Sequence, residues 1–265
     1  MIGQERLVAK LKSYSIKTLP HSILLIGENG CGKHLLISEL EKHYNITAID
    51  ITDALTLETI QEIEISTAKH FYIIDMTKVT EKQQNVILKF LEEPVNNAYI
   101  VLTTTSKSIL LDTVINRCVS FEFSPYTSSQ LLQFVPFEEN IEILADYCHT
   151  PGQIKEMNVE KINYLITLCD NIITNVGKAK FPDILRISSR VKQDKDDAVN
   201  LDIFYNVLAE RLFRRFTETS DINYRDMFIA VSESLKKHNN PRFNQELLID
   251  SLAIDLHNIL RGATK

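Results

Sequence analysis

The sequence predicts an α/β protein, a doubly wound parallel sheet that gives way to an all-helical half. Three observations carry this. Five short apolar runs alternate with helical stretches over the first 125 residues. A glycine-rich loop joins the first of those runs to a helical pattern. Beyond "SPYTSS" (124–129) strand-like runs vanish and helical periods take over. Strand-helix alternation followed by helices is the pattern of a parallel sheet with appended helical parts.

The strand candidates are "SILLIG" (22–27), "ITAIDI" (46–51), "HFYIID" (70–75), "YIVLTT" (99–104) and "CVSFEF" (118–123). They are β-branched and aromatic, and several are apolar on both faces, as strands buried between two helical layers are. Between them lie "KHLLISELEKHY", "LTLETIQEIEISTAKH" and "EKQQNVILKFLEEP". In the last, Val86, Ile87, Phe90 and Leu91 form one stripe, and Pro94 is expected to end the helix.

In the helical half, "SSQLLQFV" and "EENIEILADYCH" read as short helices, and "TPGQIKEM" (150–157) as a turn opening another. "LDIFYNVLAERLFRRF" places Phe204, Val207, Leu208, Leu212 and Phe213 on one face. The stretch "NQELLIDSLAIDLHNILRG" does the same with Leu248, Leu252, Leu256 and Ile259, with Gly262 as a stop. Linker candidates are "SPYTSS", a weak break near 157–160, and "VKQDKDDAVN" (191–200).

Composition narrows the function classes. The 265 residues are 44% apolar and 24% charged, with net charge -6. No long basic arm exists, so nucleic-acid contact is local or comes through partners. No apolar run approaches the roughly 20 residues of a membrane span. The opening "MIGQERLVAKLKSY" lacks an apolar signal core, which leads us to expect a cytoplasmic protein. Cys31, Cys118, Cys148 and Cys169 are widely spaced and read as buried thiols rather than metal ligands.

The chemistry sits in "SILLIGENGCGKH" (22–34). Gly27, Gly32 and Lys33 match the phosphate-loop pattern G-x-x-x-x-G-K, with Gly30 between them. The glycines let backbone N–H groups turn toward phosphates, and the lysine reaches the outer ones. The next residue in such loops is Ser or Thr, whose hydroxyl ligates Mg²⁺, a hard cation that wants oxygen. Here it is His34, whose imidazole suits softer metals. It is either a helix-start residue without a role or a substituted contact. Asp75 ends an apolar strand and is placed to support Mg²⁺ through water, but Met76 follows where a hydrolytic site would carry an acid to orient water. We therefore expect negligible hydrolysis.

Four stretches in order, "IGQERLVAKLK", "LPHSILLIGENGCGK", "IIDMTKVTEKQQNVILKFLEEP" and "VLTTTSKSILLDTVINRC", resemble the AAA+ ATPases of the sliding-clamp loader, most of all their delta-prime branch. They cover about 3–118; residues 125–265 match only in kind. The resemblance implies an AAA+ P-loop domain with a five-stranded parallel sheet at 1–125, a small helical lid at 126–158 and a helical collar at 159–265. It further implies a ring that places a clamp on primer-template DNA, with gamma/tau-like ATPase subunits and a delta-like subunit as partners.

The family's Ser-Arg-Cys motif supplies an arginine finger to the neighbouring subunit's ATP. Here the tripeptide is Asn116-Arg117-Cys118, so Arg117 stands at the finger, the alternative being a surface ion-pair residue. Lys155 replaces the lid's sensing arginine, and Thr104 stands at the strand-end sensor or is a buried strand threonine. The zinc-binding cysteines of many relatives are missing, and we expect no zinc, no other metal and no required cofactor, leaving ATP or ADP binding without hydrolysis open. The losses fall on the chain's own pocket while Arg117 survives, which points to a non-hydrolysing delta-prime-like subunit. The alternatives are an ATP-hydrolysing gamma/tau-like motor subunit and an AAA+-derived scaffold outside replication.

Overall fold

A computed structural model describes residues 1–92, 97–135, 142–179, 200–238, 240 and 243–262. The chain forms two compact units, Met1–Gln130 with Thr150–Gly152, and Leu131–His149 with Gln153–Lys265.

The first unit is built on five strands: β1 Ser22–Ile26, β2 Thr47–Asp50, β3 His70–Asp75, β4 Ala98–Thr104 and β5 Val119–Glu122. All pairings are parallel and the order is β2-β3-β4-β1-β5. All five expected strands are present. The helices are α1 Glu5–Lys12, α2 Lys33–Tyr44, α3 Leu57–Ile65, α4 Glu81–Glu92 and the short α5 Asp112–Ile115. One face of the sheet carries Leu24, Tyr72, Ile74 and Leu102 against residues of α3, α4 and α5. The other carries Ile23, Leu25, Phe71 and Val101 against α1 and α2. Central β1 is thus apolar at successive positions because both faces are covered, whereas edge strand β2 is largely exposed.

Local chemistry explains the element ends. The Thr56 hydroxyl accepts from the Thr59 N–H at 3.2 Å and caps α3. In α4 the expected stripe faces inward: Ile87, Phe90 and Leu91 are buried, with Val86 packed beside them. Buried Gln84 donates to the Ile109 carbonyl at 2.9 Å and accepts from the Leu111 N–H at 2.8 Å, tying α4 to the approach to α5. Pro94 lies outside the described residues.

The second unit is helical among its described residues. It holds α7 Glu142–Tyr147, α9 Val159–Asn175, α10 Leu201–Thr219, α11 Ile222–His238 and α12 Gln245–Gly262, while α6 Ser128–Leu131 and α8 Pro151–Glu156 each have residues in both units. Asn158 and Asn200 cap α9 and α10 through their side-chain oxygens. Phe204, Val207, Leu208 and Leu212 are buried as expected, but Phe213 is 46% exposed. Its ring lies 5.9 Å from that of Phe228. On α12, Leu248, Leu252 and Leu256 are buried and Ile259 half-buried. The expected linker 191–200 lies outside the described residues except Asn200, and so does the expected start of the α7 helix through residue 141.

Three helices of this unit meet at His238. Its Nε2 lies 3.1 Å from an Asp202 carboxylate oxygen, its Nδ1 pairs with Gln245 Oε1, and the Gln245 amide donates to the His238 carbonyl at 3.0 Å. Both ring nitrogens face acceptors, which favours the imidazolium form.

Candidate nucleotide loop and finger

The loop residues 27–32 leave the C-terminal end of β1 and deliver Lys33 to the first turn of α2. Gly32 caps α2 with φ 103°, and Gly30 has φ +77°, both in the left-handed region that glycine tolerates. At Gly27 an added Cβ would stand 2.7 Å from Cys31 Sγ and 2.9 Å from Phe123 Cβ, so no side chain fits there.

The loop is tied to its surroundings on several sides. The Tyr126 hydroxyl donates to the Cys31 carbonyl at 2.7 Å. Buried Gln4 brackets Ser124, donating to its carbonyl at 2.7 Å and accepting from its N–H at 3.0 Å. At the loop tip the Thr150 hydroxyl donates to the Asn29 carbonyl at 2.8 Å, and the Gly152 N–H donates to the Gly30 carbonyl at 3.0 Å.

Lys33 folds back on the loop. Its ammonium donates to the Gly27 carbonyl at 2.5 Å and the Glu28 carbonyl at 3.0 Å. Burial holds its pKa below the ordinary lysine value, and the nearby Cys31, Asp75 and Glu28 only partly offset this. His34, the next residue, is exposed.

Asp75 and Thr104 end β3 and β4 on the same edge of the sheet as the loop. One carboxylate oxygen of Asp75 accepts from the Thr77 N–H at 3.1 Å and from its hydroxyl at 2.7 Å. Met76 is fully buried in the core cluster on the α4 face. The Thr104 hydroxyl donates to the Ser106 carbonyl at 2.8 Å, and its carbonyl accepts from the Gly27 N–H at 3.0 Å. The Thr104 side chain is buried and bonded locally, and its main chain anchors the loop.

Arg117 stands at the other end of the sheet. It precedes β5, whose Val119 pairs in parallel register with Ile23 near the start of β1. The loop follows Ile26 at the far end of β1, about 13 Å along the strand. Arg117 donates from Nη1 to the Thr113 carbonyl at 2.7 Å and pairs through Nη2 with the Glu92 carboxylate. Lys155 belongs to the second unit, where its ammonium lies 5.6 Å from the Phe134 ring centroid. The structure therefore gathers Gly27, Gly30, Gly32, Lys33, His34, Asp75 and Thr104 at one edge of the sheet and puts Arg117 at the opposite one.

Two partners escaped the sequence. Gly152 carried no sign of its contact with Gly30, and Glu92 looked like an ordinary charge at the end of a helical stripe. Among the described residues no group of three or more His, Cys, Asp or Glu side chains is placed to hold a metal. The four cysteines are free thiols; burial pushes Cys118 and Cys148 up to about 12, and Cys169 higher still. No helix among the described residues is long and apolar enough to cross a membrane.

Loop, acid and threonine thus share one edge of a parallel sheet in which β4 is inserted between β1 and β3, a doubly wound α/β arrangement with a phosphate-loop pattern after its first strand. Comparison with known sequences narrows the class. The family model described as "DNA polymerase III, delta subunit" matches residues 45–127, which include Glu92 and Arg117 but not the loop. The replication factor C small subunit of Methanosphaera stadtmanae is 22% identical over 96% of this chain and 94% of its own length. The DNA polymerase III subunit delta' of Bacillus subtilis is 24% identical over 74% of this chain and 62% of its own. The chain is thus similar to clamp-loader proteins, with the family-model match confined to residues 45–127 and its relatives 22–24% identical. Among solved structures, the Thermotoga maritima RuvB Holliday junction branch migration motor is similar at TM-score 0.48 and 19% identity, over 89% of this chain and 82% of that one.

Proposed function

We propose that this chain is a delta-prime-like subunit of a DNA polymerase clamp loader that does not hydrolyse ATP itself and donates Arg117 to a neighbouring subunit's ATP. The separation of the two edges is the observation that carries this reading. The edge with the loop lacks the parts hydrolysis needs, and the opposite edge keeps a half-exposed guanidinium.

At the loop the residues do not fit a hydrolysed Mg²⁺-nucleotide. His34 offers no hydroxyl oxygen to the metal, Asp75 spends one oxygen on Thr77, and Met76 points into the core where a water-orienting acid would be needed. Lys33 must first release two carbonyls to meet a phosphate. Any ATP or ADP held here is held without turnover. The loop's remaining work is structural, as a rigid joint between β1, α2 and Thr150–Gly152.

At the other edge charge governs what Arg117 can do. A guanidinium is always ionised, and its planar fork matches phosphate oxygens. About 13 Å of strand separates it from its own loop, so it acts on a nucleotide bound to another chain. Positive charge placed where phosphate charge develops lowers the barrier in that neighbour's site. Gamma/tau-like ATPase subunits and a delta-like subunit are the expected neighbours, with the sliding clamp and primed DNA reached through the assembled ring in the cytoplasm.

The test is assembly with turnover. The purified chain is expected to join gamma/tau-like and delta-like subunits in a stable complex and to show no ATP turnover alone. Failure to assemble would favour a scaffold outside replication, and steady turnover by the isolated chain would favour a motor subunit.

A further inference from the structure

We propose that Glu92 is a positioning residue for the finger; this rests on the reading of Arg117 given above. The guanidinium is held at two points by two different elements. Nη1 donates to the Thr113 carbonyl of α5, and Nη2 pairs with the Glu92 carboxylate at the end of α4. A guanidinium carries five N–H donors in one rigid plane. One hold would leave that plane free to turn about the remaining bond. Two holds, from α5 and α4, fix its orientation. They consume one donor on each terminal nitrogen and leave three for an incoming phosphate. The Arg117 side chain is 32% exposed, so an anion can reach it while the two holds keep its plane fixed.

The same carboxylate has an opposing effect. Its negative charge beside Arg117 weakens the attraction for phosphate. Orientation and charge are separable by substitution. Glu92→Ala removes both the acceptor and the charge, while Glu92→Gln keeps an acceptor oxygen for Nη2 without the charge. If alignment dominates, the glutamine variant recovers much of what alanine loses. Glu92 is 48% exposed on its side chain and belongs to neither core cluster, so both variants should fold.

The loader is reassembled with each variant, and ATP turnover with clamp and primed DNA is followed across ATP concentrations. Glu92→Ala is expected to lower kcat about tenfold with KM changed less than about twofold, the size usual for residues that orient a functional group. Glu92→Gln is expected to fall no more than about threefold. Arg117→Ala, run in parallel, should lower kcat more than either. Turnover at or above wild type for Glu92→Ala beside a lowered rate for Arg117→Ala overturns the positioning role and leaves the finger standing. Unchanged turnover for Arg117→Ala overturns the finger and this role with it. Equal losses for alanine and glutamine, or a loss confined to KM or to assembly, also overturn the positioning role.

Discussion

Gly30 and Gly152 meet backbone against backbone. The Gly152 N–H donates to the Gly30 carbonyl at 3.0 Å, and a Cβ built on Gly152 would stand 2.5 Å from the Gly30 Cα. A Cβ on Gly30 would in turn meet the Gly152 Cα and the Thr150 hydroxyl, both at 2.8 Å. Two residues far apart in sequence are thus both required to lack side chains. The tip of the loop, which in a nucleotide site faces phosphate, is here joined to Thr150–Gly152.

That contact makes Gly152→Ala costly. The nearest atoms are main chain and cannot rotate away, so the variant should lose about 1–3 kcal/mol of stability. Gly262→Ala is the control, because nothing lies within 4 Å of its added Cβ. Thermal unfolding should separate the two variants by several degrees. Equal melting temperatures would mean that the two glycines do not meet as described.

Restoring the missing acid should not restore a site. Met76 is fully buried, so Met76→Glu places a carboxylate in the core at a cost of about 2–5 kcal/mol. Met76→Leu should cost less than about 1.5 kcal/mol. Chemical denaturation of both variants measures this directly. A Met76→Glu protein as stable as wild type would show that this side chain reaches solvent and that the pocket could still host a base.

Magnesium should add nothing to nucleotide binding. Calorimetric titration with ATP and ADP, with and without Mg²⁺, is expected to give the same weak or absent binding in both. Tight binding that depends on Mg²⁺ would contradict the reading of His34.

His238 should make the helical unit sensitive to pH. Burial pulls its pKa down, but hydrogen bonds to Asp202 and Gln245 and the Asp202 charge outweigh this, leaving it above the ordinary histidine value of 6.5. A raised folded pKa means that protonation favours the folded state. The contribution is complete below pH 6.5 and fades as pH rises through the elevated value. His21 acts in the opposite sense: burial lowers its pKa, so its contribution grows as pH rises. The useful quantity is therefore the difference between wild type and His238→Gln. That difference in melting temperature should shrink from pH 5.5 to 8.5. A difference that is constant or grows would contradict the assignment of His238 as a cation.

What the sequence revealed and concealed follows from the range of each interaction. Strands β1, β3 and β4 were legible because burial on both faces demands unbroken apolar runs. The stripe of α4 was legible because Ile87, Phe90 and Leu91 repeat at helical spacing. Phe213 obeyed the same spacing and still faces outward beside Phe228, since periodicity does not say where a face ends. The loop was legible from its glycines and lysine, which act within seven residues. Its closure by Thr150–Gly152 and the pairing of Glu92 with Arg117 were not, because such contacts depend on how distant segments pack and leave no local pattern.

In the proposed function the chain's chemistry is exerted through Arg117 on a neighbour and not through its own loop. The most direct measurement is ATP turnover by the assembled loader carrying Arg117→Ala, beside one carrying Lys33→Ala in this chain alone. Loss of an arginine finger lowers turnover about a thousandfold or more at the site it completes. A clear fall in the assembled rate is expected for Arg117→Ala and none for Lys33→Ala. A rate untouched by Arg117→Ala, or one that falls with Lys33→Ala, would contradict the proposed function.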